Sequence, residues 1–119
     1  MQREHRLTRR EDFQYVYRHG QSAANRQFAV YYLKRPESEQ GEPFRVGVSA
    51  SKKIGNAVVR NRTRRLVKEI IRKHAELLPH GVDLVMIARK PAADMTFQEM
   101  EKSILHCLRC AGLIQKKNV

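Results

Sequence analysis

The chain has 119 residues and a formal net charge of +12, from 24 Lys and Arg against 12 Asp and Glu. This length predicts a single domain, residues 1–119, with one hydrophobic core. So large an excess of one sign repels itself in a compact fold and indicates a polyanionic partner, with nucleic acid first and an anionic membrane surface second.

The sequence pattern shows neither a membrane-spanning segment nor an export signal. No stretch approaches the ~18 consecutive apolar residues that a spanning helix needs. The start, MQREHRLTRREDF, lacks the apolar core of a secretory signal. We therefore expect a cytoplasmic protein with no membrane partner, whose Cys107 and Cys110 are reduced. The basic start is typical of an arm that contacts nucleic acid.

The first predicted element is a helix that carries aromatic side chains. Residues Thr8 to Glu11 have the form of a capping box, which makes Thr8 the predicted N-cap. The helix is expected to run to about His19 and to end at Gly20. Its apolar side chains share one face: Phe13, Val16 and Tyr17.

Three main segments have the composition of β-strands. Residues 28–33 (FAVYYL) are a short apolar and aromatic run, and a further short strand is expected near Ala23. Residues 44–51 alternate with a period of two, which predicts one inward face. Residues 82–88 are almost continuously apolar and predict a strand covered on both faces. The acidic connection 34–43 is expected to be a surface loop with hairpin character.

Residues 52–72 (KKIGNAVVRNRTRRLVKEIIR) predict an amphipathic helix with a cationic face. The segment opens with a Lys pair and a Gly-Asn turn, and its helix is expected to end near Leu78. At about 100° per residue, one side carries Val59, Thr63, Leu66, Val67, Ile70, Ile71 and Leu77. The other side carries Asn61, Arg64, Arg65, Lys68 and Arg72, with Arg60 and Arg62 on the flanks.

The charges on this helix are spaced in a way that favours polyanion binding. Solvated helices normally alternate signs, whereas here Arg60 and Arg64, and Arg64 and Lys68, are like charges at i, i+4. Glu69 is the main local counter-charge, with Lys73 among its expected partners. Because this spacing destabilises an isolated helix, we favour a bound polyanion over a merely solvated face. The guanidinium fork of Arg also matches phosphate bidentately.

The last predicted helix follows a second capping box at Thr96 to Glu99. Its apolar side chains recur at helical spacing: Met100, Ile104, Cys107, Leu108 and Ala111. A tail at Lys116 and Lys117 is expected to be mobile. The order helix, strand, strand, helix, strand, helix predicts an α/β (α+β) sandwich, a mixed sheet with helices packed on it.

Aromatic and small residues indicate a surface for single-stranded nucleic acid. Unpaired bases stack on aromatic faces, and Phe13, Tyr17, Tyr31 and Tyr32 are candidates, with core packing as the alternative for each. Strand alternation sends Tyr31 and Tyr32 to opposite faces, so at most one shares a surface with the first helix. The small outward Ser49 either lets a nucleic-acid strand approach the sheet or is an ordinary solvated position.

Catalytic and metal-ligand patterns are not found. There is no Gly-rich phosphate loop, the five His have no i, i+4 spacing, and the acidic pairs do not predict an inward-facing carboxylate site. Cys107 and Cys110 have the spacing of half a zinc site or a redox pair, but the two further ligands of a zinc site are missing. We interpret both as apolar residues on the buried face of the last helix.

At these residues the sequence resembles the protein subunit of bacterial ribonuclease P. The resemblance covers nearly the whole chain, through EDFQYVY, ANRQF, RVGVSASKKIGNAVVRNRTRR, VMIARKPA and the final helix. In that context the triplet Arg60, Asn61 and Arg62 is its most specific motif. The resemblance implies a fold like the second domain of ribosomal protein S5, with a left-handed crossover around the basic helix.

The resemblance also implies the partners and the chemistry. The protein would bind the catalytic RNA subunit of ribonuclease P and precursor tRNA, and the complex would remove the 5′ leader. RNA-bound Mg²⁺ would carry out the hydrolysis, with no catalytic or metal-binding residue on the protein.

Two groups of candidate site residues follow. The RNA-binding group is Lys52, Lys53, Arg60, Asn61, Arg62, Arg64, Arg65, Lys68 and Arg72. The leader-binding group is Phe13, Tyr17, Tyr31 and Ser49. Composition by itself leaves two rivals: a ribosomal or DNA-binding module without an enzymatic partner, and a nuclease that acts without RNA.

Overall fold

The computed structural model describes residues 6–115 as a four-stranded sheet with three α-helices. In chain order the elements are α1 (Arg10–His19), β1 (Gln21–Ala24), β2 (Phe28–Lys34), β3 (Arg45–Ala50), α2 (Ala57–Lys73), β4 (Val82–Ala88) and α3 (Phe97–Cys110). This order confirms the predicted α/β sandwich and the short strand near Ala23. The first five residues, which begin the basic arm, and the tail at Lys116 and Lys117 lie outside the described residues.

The sheet is mixed, with the strand order β1-β2-β4-β3. β2 pairs with β4 antiparallel, and β3 pairs with β4 parallel. The predicted hairpin across 34–43 is therefore wrong, because β4 lies between β2 and β3. β4 takes this place because its apolar run is buried at nearly every position and needs neighbours on both edges and cover on both faces. The left-handed sense of the β3–α2–β4 crossover stays a prediction.

Alternation along the strands divides the core into two parts. On one face, Val30, Leu84 and Met86 pack in the larger core with residues of α2 and α3. On the other face, Val85 packs with Val16 of α1 and with Leu7. The sheet therefore separates α1 from α2 and α3, and each strand presents alternate residues to the two sides.

The start of α1 differs from the prediction. The N-cap is Arg9, without a side-chain hydrogen bond, and Thr8 does not cap the helix. Leu7 is buried and donates its N–H to the Val46 carbonyl at 2.8 Å. The described residues just before α1 therefore run extended beside β3, and the helix begins later than predicted. The predicted end at Gly20 is confirmed, since its N–H reaches the Val16 carbonyl.

The other helix boundaries are set by caps and by burial. The capping box of α3 is confirmed, with the Glu99 N–H donated to Thr96 Oγ1 at 3.2 Å and the Thr96 N–H donated to Glu99 Oε1 at 2.9 Å. α2 ends at Lys73, before the predicted Leu78. A 3-10 turn follows, which leaves Leu77 49% exposed instead of on the core face and buries Leu78.

Candidate nucleic-acid interface

The entry to α2 is held by local hydrogen bonds and one glycine. Lys52 and Lys53 lie exposed in a 3-10 turn, where Ser51 Oγ accepts the Lys53 N–H at 3.2 Å. Gly55 has φ of 155°, and a Cβ there would lie 3.2 Å from the Val59 side chain. Asn56 then caps the helix, because its Oδ1 accepts the Val59 N–H at 3.1 Å. The predicted Gly-Asn turn thus directs the lysine pair and α2 into one continuous surface.

α2 has the two faces that its periodicity predicts. Its buried residues are Thr63, Leu66, Val67, Ile70 and Ile71, with Val59 half-buried. The exposed side carries Asn61, Arg62, Arg65, Lys68 and Arg72, while Arg60 and Arg64 are half-buried. We call the exposed side, together with Arg60 and Arg64, the cationic face.

Part of the cationic face forms a shallow groove of about 430 Å³. It is lined by Asn61, Arg64, Arg65, Lys68, Glu69 and Arg72. Within it, the Arg64 guanidinium donates to Asn61 Oδ1, so the neutral residue of the face orients a charged one. Arg60 and Arg62 do not line the groove. Arg60 Nε is buried and has no hydrogen-bond partner within residues 6–115.

The local ion pairs predicted for Glu69 on α2 do not form among the described residues. Within the described part of the chain Glu69 makes no ion pair, and Lys73 reaches Glu101 of α3 instead, at 2.8 Å. His74 Nε2 lies 2.9 Å from the same carboxylate. The hydrogen bond to Lys73, and secondly the one to His74, hold the pKa of Glu101 below its usual value. The pairing between α2 and α3 leaves the cationic face without an acidic partner from α3.

The predicted leader-binding residues lie on one face of the sheet, beside α1. Tyr17 and Tyr31 meet edge to face, with ring centroids 5.0 Å apart and an interplanar angle of 83°. The ring of Phe13 lies over Gly47, where a Cβ would come within 2.3 Å of Phe13 Cζ. Ser49 lies two residues beyond Gly47 on the same side of β3. We call this surface the aromatic cleft.

The cleft residues are partly exposed, and Phe13 and Tyr31 also pack against the smaller core cluster around Val16. Tyr17 is 38% exposed, whereas its neighbour Val16 is 1% exposed. Phe13, Tyr31 and Ser49 are half-buried. Partial burial, and secondly Tyr31, raise the pKa of the Tyr17 hydroxyl, which stays protonated at neutral pH. Tyr32 points to the opposite face and packs on the larger core, as strand alternation predicts.

Residues that were not predicted complete the cleft. Arg10 and Gln14 line a depression of about 380 Å³ on α1 with Thr8, Phe13 and Tyr17. They lie one turn apart on the same side of the helix, a spacing that the wheel of α1 could have revealed. A cation beside aromatic rings suits a strand that offers both bases and phosphates.

Further cations gather at one end of the sheet. The register places Phe28 opposite Ala88, and Ala88 opposite Ala50, so the residues just outside these positions share one end. That end brings Arg89 and Lys90 near the turn that bears Lys52 and Lys53. Arg89 is held in place because its Nη1 donates to the Asn25 carbonyl at 3.0 Å. Only the strand pairing could reveal this cluster, since its members are distant in sequence.

The two cysteines differ from each other. Cys107 is buried, as predicted, and burial raises the pKa of its thiol to about 11. Cys110 is exposed, so its predicted place on the buried face of α3 is wrong. Residues at i, i+3 on a helix diverge by about 60°, and the apolar stripe of α3 turns away before reaching Cys110. No cluster of three or more His, Cys, Asp or Glu that could hold a metal occurs within residues 6–115.

The structure bears on the membrane alternative in one respect, the length and apolar character of its helices. None of the helices in the described range combines the length and the apolar character needed to cross a bilayer.

Comparison with known proteins identifies the family. The family model described as Ribonuclease P matches residues 1–112. The ribonuclease P protein component of Bacillus velezensis is 48% identical over 118 residues, which cover 99% of this chain and 98% of that one. A Bacillus cereus protein of the same description is 45% identical over 113 residues, 95% of this chain and 96% of its own.

Solved structures give the same result. The RNase P protein of Staphylococcus aureus superimposes with a TM-score of 0.83 at 39% identity, over 93% of this chain and 98% of that chain. The RNase P protein of Thermotoga maritima gives 0.77 at 28% identity, over 95% and 98%. The family match, these relatives and the shared fold together show that this chain belongs to the ribonuclease P protein family.

Proposed function

We propose that this protein is the protein component of the ribonuclease P ribonucleoprotein, an endoribonuclease that removes the 5′ leader from precursor tRNA. The observation that carries the proposal is one helix whose cationic face forms no ion pair within residues 6–115, joined through Lys52 and Lys53 to the strand that borders an aromatic cleft. Phosphates suit the first surface, and unpaired bases suit the second.

The two surfaces have separate tasks in this proposal. Arg60, Arg62, Arg65 and the rest of the cationic face, together with the lysine pair, contact phosphates of the catalytic RNA. Phe13, Tyr17, Tyr31 and Ser49 hold the single-stranded leader. Electrostatic attraction supplies affinity, while stacking positions the strand.

The chemistry is assigned to the RNA subunit and its Mg²⁺. Mg²⁺ prefers oxygen ligands, in most sites from carboxylates and phosphates, and the RNA subunit offers phosphate oxygens. The protein supports catalysis by holding RNA and leader together, which places the scissile bond in the RNA active site.

Reconstitution tests the proposal against both rivals. With the RNase P RNA of the same organism, Mg²⁺ and precursor tRNA, the protein should yield mature 5′ ends at a Mg²⁺ concentration where that RNA without protein is slow. The protein without RNA should be inert. Cleavage by protein without RNA would favour a self-sufficient nuclease. Failure to stimulate the RNA, with another nucleic acid co-purifying at moderate salt, would favour a binding module.

A further inference from the structure

A second polar groove lies between α3 and the turn that joins β1 to β2. It encloses about 800 Å³ and is lined by Asn25, Arg26, Gln27, Met95, Glu99, Lys102, Ser103, His106 and Arg109. None of these residues belongs to the cationic face or to the aromatic cleft. We call it the α3 groove.

The α3 groove has a rigid wall. Asn25 Oδ1 accepts the N–H groups of Gln27 and Phe28, at 3.0 and 2.8 Å, which fixes the orientation of its amide. Asn25 Nδ2 therefore faces α3 and donates to the Ser103 carbonyl at 2.8 Å. Ser103 Oγ in turn donates to Gln27 Oε1 at 2.9 Å. The turn is thus fastened to α3, and the groove exists before any partner binds.

The charges in the α3 groove are unbalanced. Arg26, Lys102 and Arg109 supply three cations, against one acidic residue, Glu99. The Glu99 carboxylate is already committed to the Thr96 N–H, a hydrogen bond that lowers its pKa. Across residues 6–115, none of the three cations forms an ion pair.

One cation of the groove also has an unmet hydrogen-bonding requirement. Arg109 Nε is buried, and no acceptor among the described residues reaches it. A buried donor without an acceptor costs free energy, which a bound phosphate recovers if the guanidinium reorients toward it. Phosphate oxygens match the guanidinium fork, and the mobile ammonium of Lys102 suits them as a point charge.

We propose that the α3 groove is a second contact site for RNA phosphates, so that the protein binds the catalytic RNA through α3 as well as through α2. The RNA partner comes from the proposed function, on which this site rests. RNA is favoured over an anionic membrane because Met95 is the only apolar side chain of the lining, whereas surface-binding helices insert several apolar side chains.

Salt dependence of binding tests the site. The groove variant is Arg26→Gln with Lys102→Gln, two exposed residues whose loss leaves the core intact. Its matched control is Arg18→Gln with Lys34→Gln, which also removes one exposed Arg and one exposed Lys. The probe is the RNase P RNA of the same organism, titrated with protein at several salt concentrations.

The groove variant should bind the RNA more weakly. The slope of log affinity against log salt should decrease in magnitude by roughly 1.4 to 1.8, which corresponds to the loss of two phosphate contacts. The control should keep the wild-type slope. The charge-preserving variant Arg26→Lys with Lys102→Arg should keep it as well. A groove variant that matches the control in slope overturns the site.

An α2 variant separates failure of this site from failure of the proposed function. Arg65→Gln with Lys68→Gln should lose slope independently of the groove variant. If only the α2 variant loses slope, the α3 groove is an ordinary solvated surface and the proposed function stands. If neither variant loses slope, RNA binding by the cationic face is wrong, and the proposed function fails with it.

Discussion

At the residue scale, Tyr17 and Val16 show how adjacent positions of one helix acquire different tasks. Val16 is buried between α1 and the sheet, where it contributes to the second core cluster. Tyr17 meets Tyr31 edge to face and is 38% exposed, so part of its side chain reaches solvent. Because the exposed part contributes little to the core, its loss should affect binding more than folding.

Tyr17→Ala should weaken binding of precursor tRNA with a long leader to the holoenzyme and leave mature tRNA unaffected. Base–aromatic stacking contributes about 1–3 kcal/mol per base, so the dissociation constant should rise roughly 5- to 150-fold. Tyr15→Ala is the matched control, because Tyr15 is 59% exposed and its ring lies beside that of His19, with the centroids 4.4 Å apart, away from the cleft pair of Tyr17 and Tyr31. Equal weakening of both substrates would assign Tyr17 to the core.

Gly47 is a second residue whose role is decided by a contact. A Cβ there would lie 2.3 Å from Phe13 Cζ and 3.1 Å from the Leu7 carbonyl oxygen. The absence of a side chain lets the tip of the Phe13 ring pack against β3. Gly47 therefore makes room for an aromatic residue of the cleft.

Gly47→Ala should destabilise the fold by about 1–3 kcal/mol through overpacking and should weaken leader-dependent binding by displacing Phe13. Thermal unfolding of the double variant Gly47→Ala with Phe13→Ala decides the cause. If the clash is responsible, the second change costs much less stability in the Gly47→Ala background than in wild type. Strict additivity would contradict it. Gly41→Ala, where a Cβ meets nothing within 4 Å, is the control.

At the element scale, α2 combines a sequence that opposes helix formation with an environment that supports it. Like charges at i, i+4 each cost a few tenths of a kcal/mol. Burial of Ile70 and Val67, at roughly 1.5–3 kcal/mol for each side chain, outweighs that cost. The Asn56 cap adds about 1 kcal/mol. Tertiary packing thus holds the cations close together, and the bound polyanion of the proposed function would relieve their repulsion.

Log affinity of the protein for the catalytic RNA should fall linearly with log salt, with a slope of roughly −0.7 to −0.9 per phosphate neutralised. If the cationic face supplies part of that neutralisation, Arg65→Gln should reduce the magnitude of the slope by the contribution of about one phosphate contact. The reason is that Arg65 is exposed in the groove of the cationic face. Glu76→Gln, an exposed change beyond α2, should leave it unchanged. A salt-independent affinity would rule out the cationic face as a binding surface.

At the scale of the whole molecule, the sheet separates and aligns the two proposed surfaces. α1 and the aromatic cleft lie on one face, and α2 and α3 lie on the other. β3 connects them, since it carries Ser49 on the cleft side and leads into Lys52 and the start of α2. An RNA strand can therefore pass from one surface to the other around the end of the sheet.

The contact between α2 and α3 makes stability depend on pH. The pKa of Glu101 is lowered from its ordinary 4.5, first by its hydrogen bond to Lys73 and then by His74. A lowered carboxyl pKa means that this stability is fully present above pH 4.5 and is lost as pH falls through the folded value. Glu101→Gln should thus unfold at a lower temperature than wild type at neutral pH.

That difference in melting temperature should shrink progressively below pH 4.5, the ordinary pKa of Glu101, when thermal unfolding is followed by circular dichroism. Glu76→Gln is again the control, since Glu76 forms no ion pair with any described residue. A Glu101→Gln difference that stays constant down to pH 2 would show that the carboxylate charge contributes nothing to the α2–α3 contact.

Sequence patterns predicted α2, α3, β4 and the end of α1 because each depends on neighbours within a few positions. The start of α1 could not be predicted in this way. Thr8 has a good capping sequence, but the hydrogen bond from Leu7 to Val46 comes from a distant strand. Cys110 was misplaced for a related reason, because a three-residue spacing does not say where a buried stripe ends.

By itself, the sequence determined the two faces of α2, the alternation of the strands and the chemistry that a +12 chain attracts. Local period and charge are properties of residues close together along the chain. Tertiary structure alone decided that β4 separates β2 from β3, that Phe13 lies over Gly47, and that Arg26 faces Lys102 across a groove. Those contacts depend on which strands pair and which faces meet. A pattern of neighbouring residues does not specify which distant residues will pack against it.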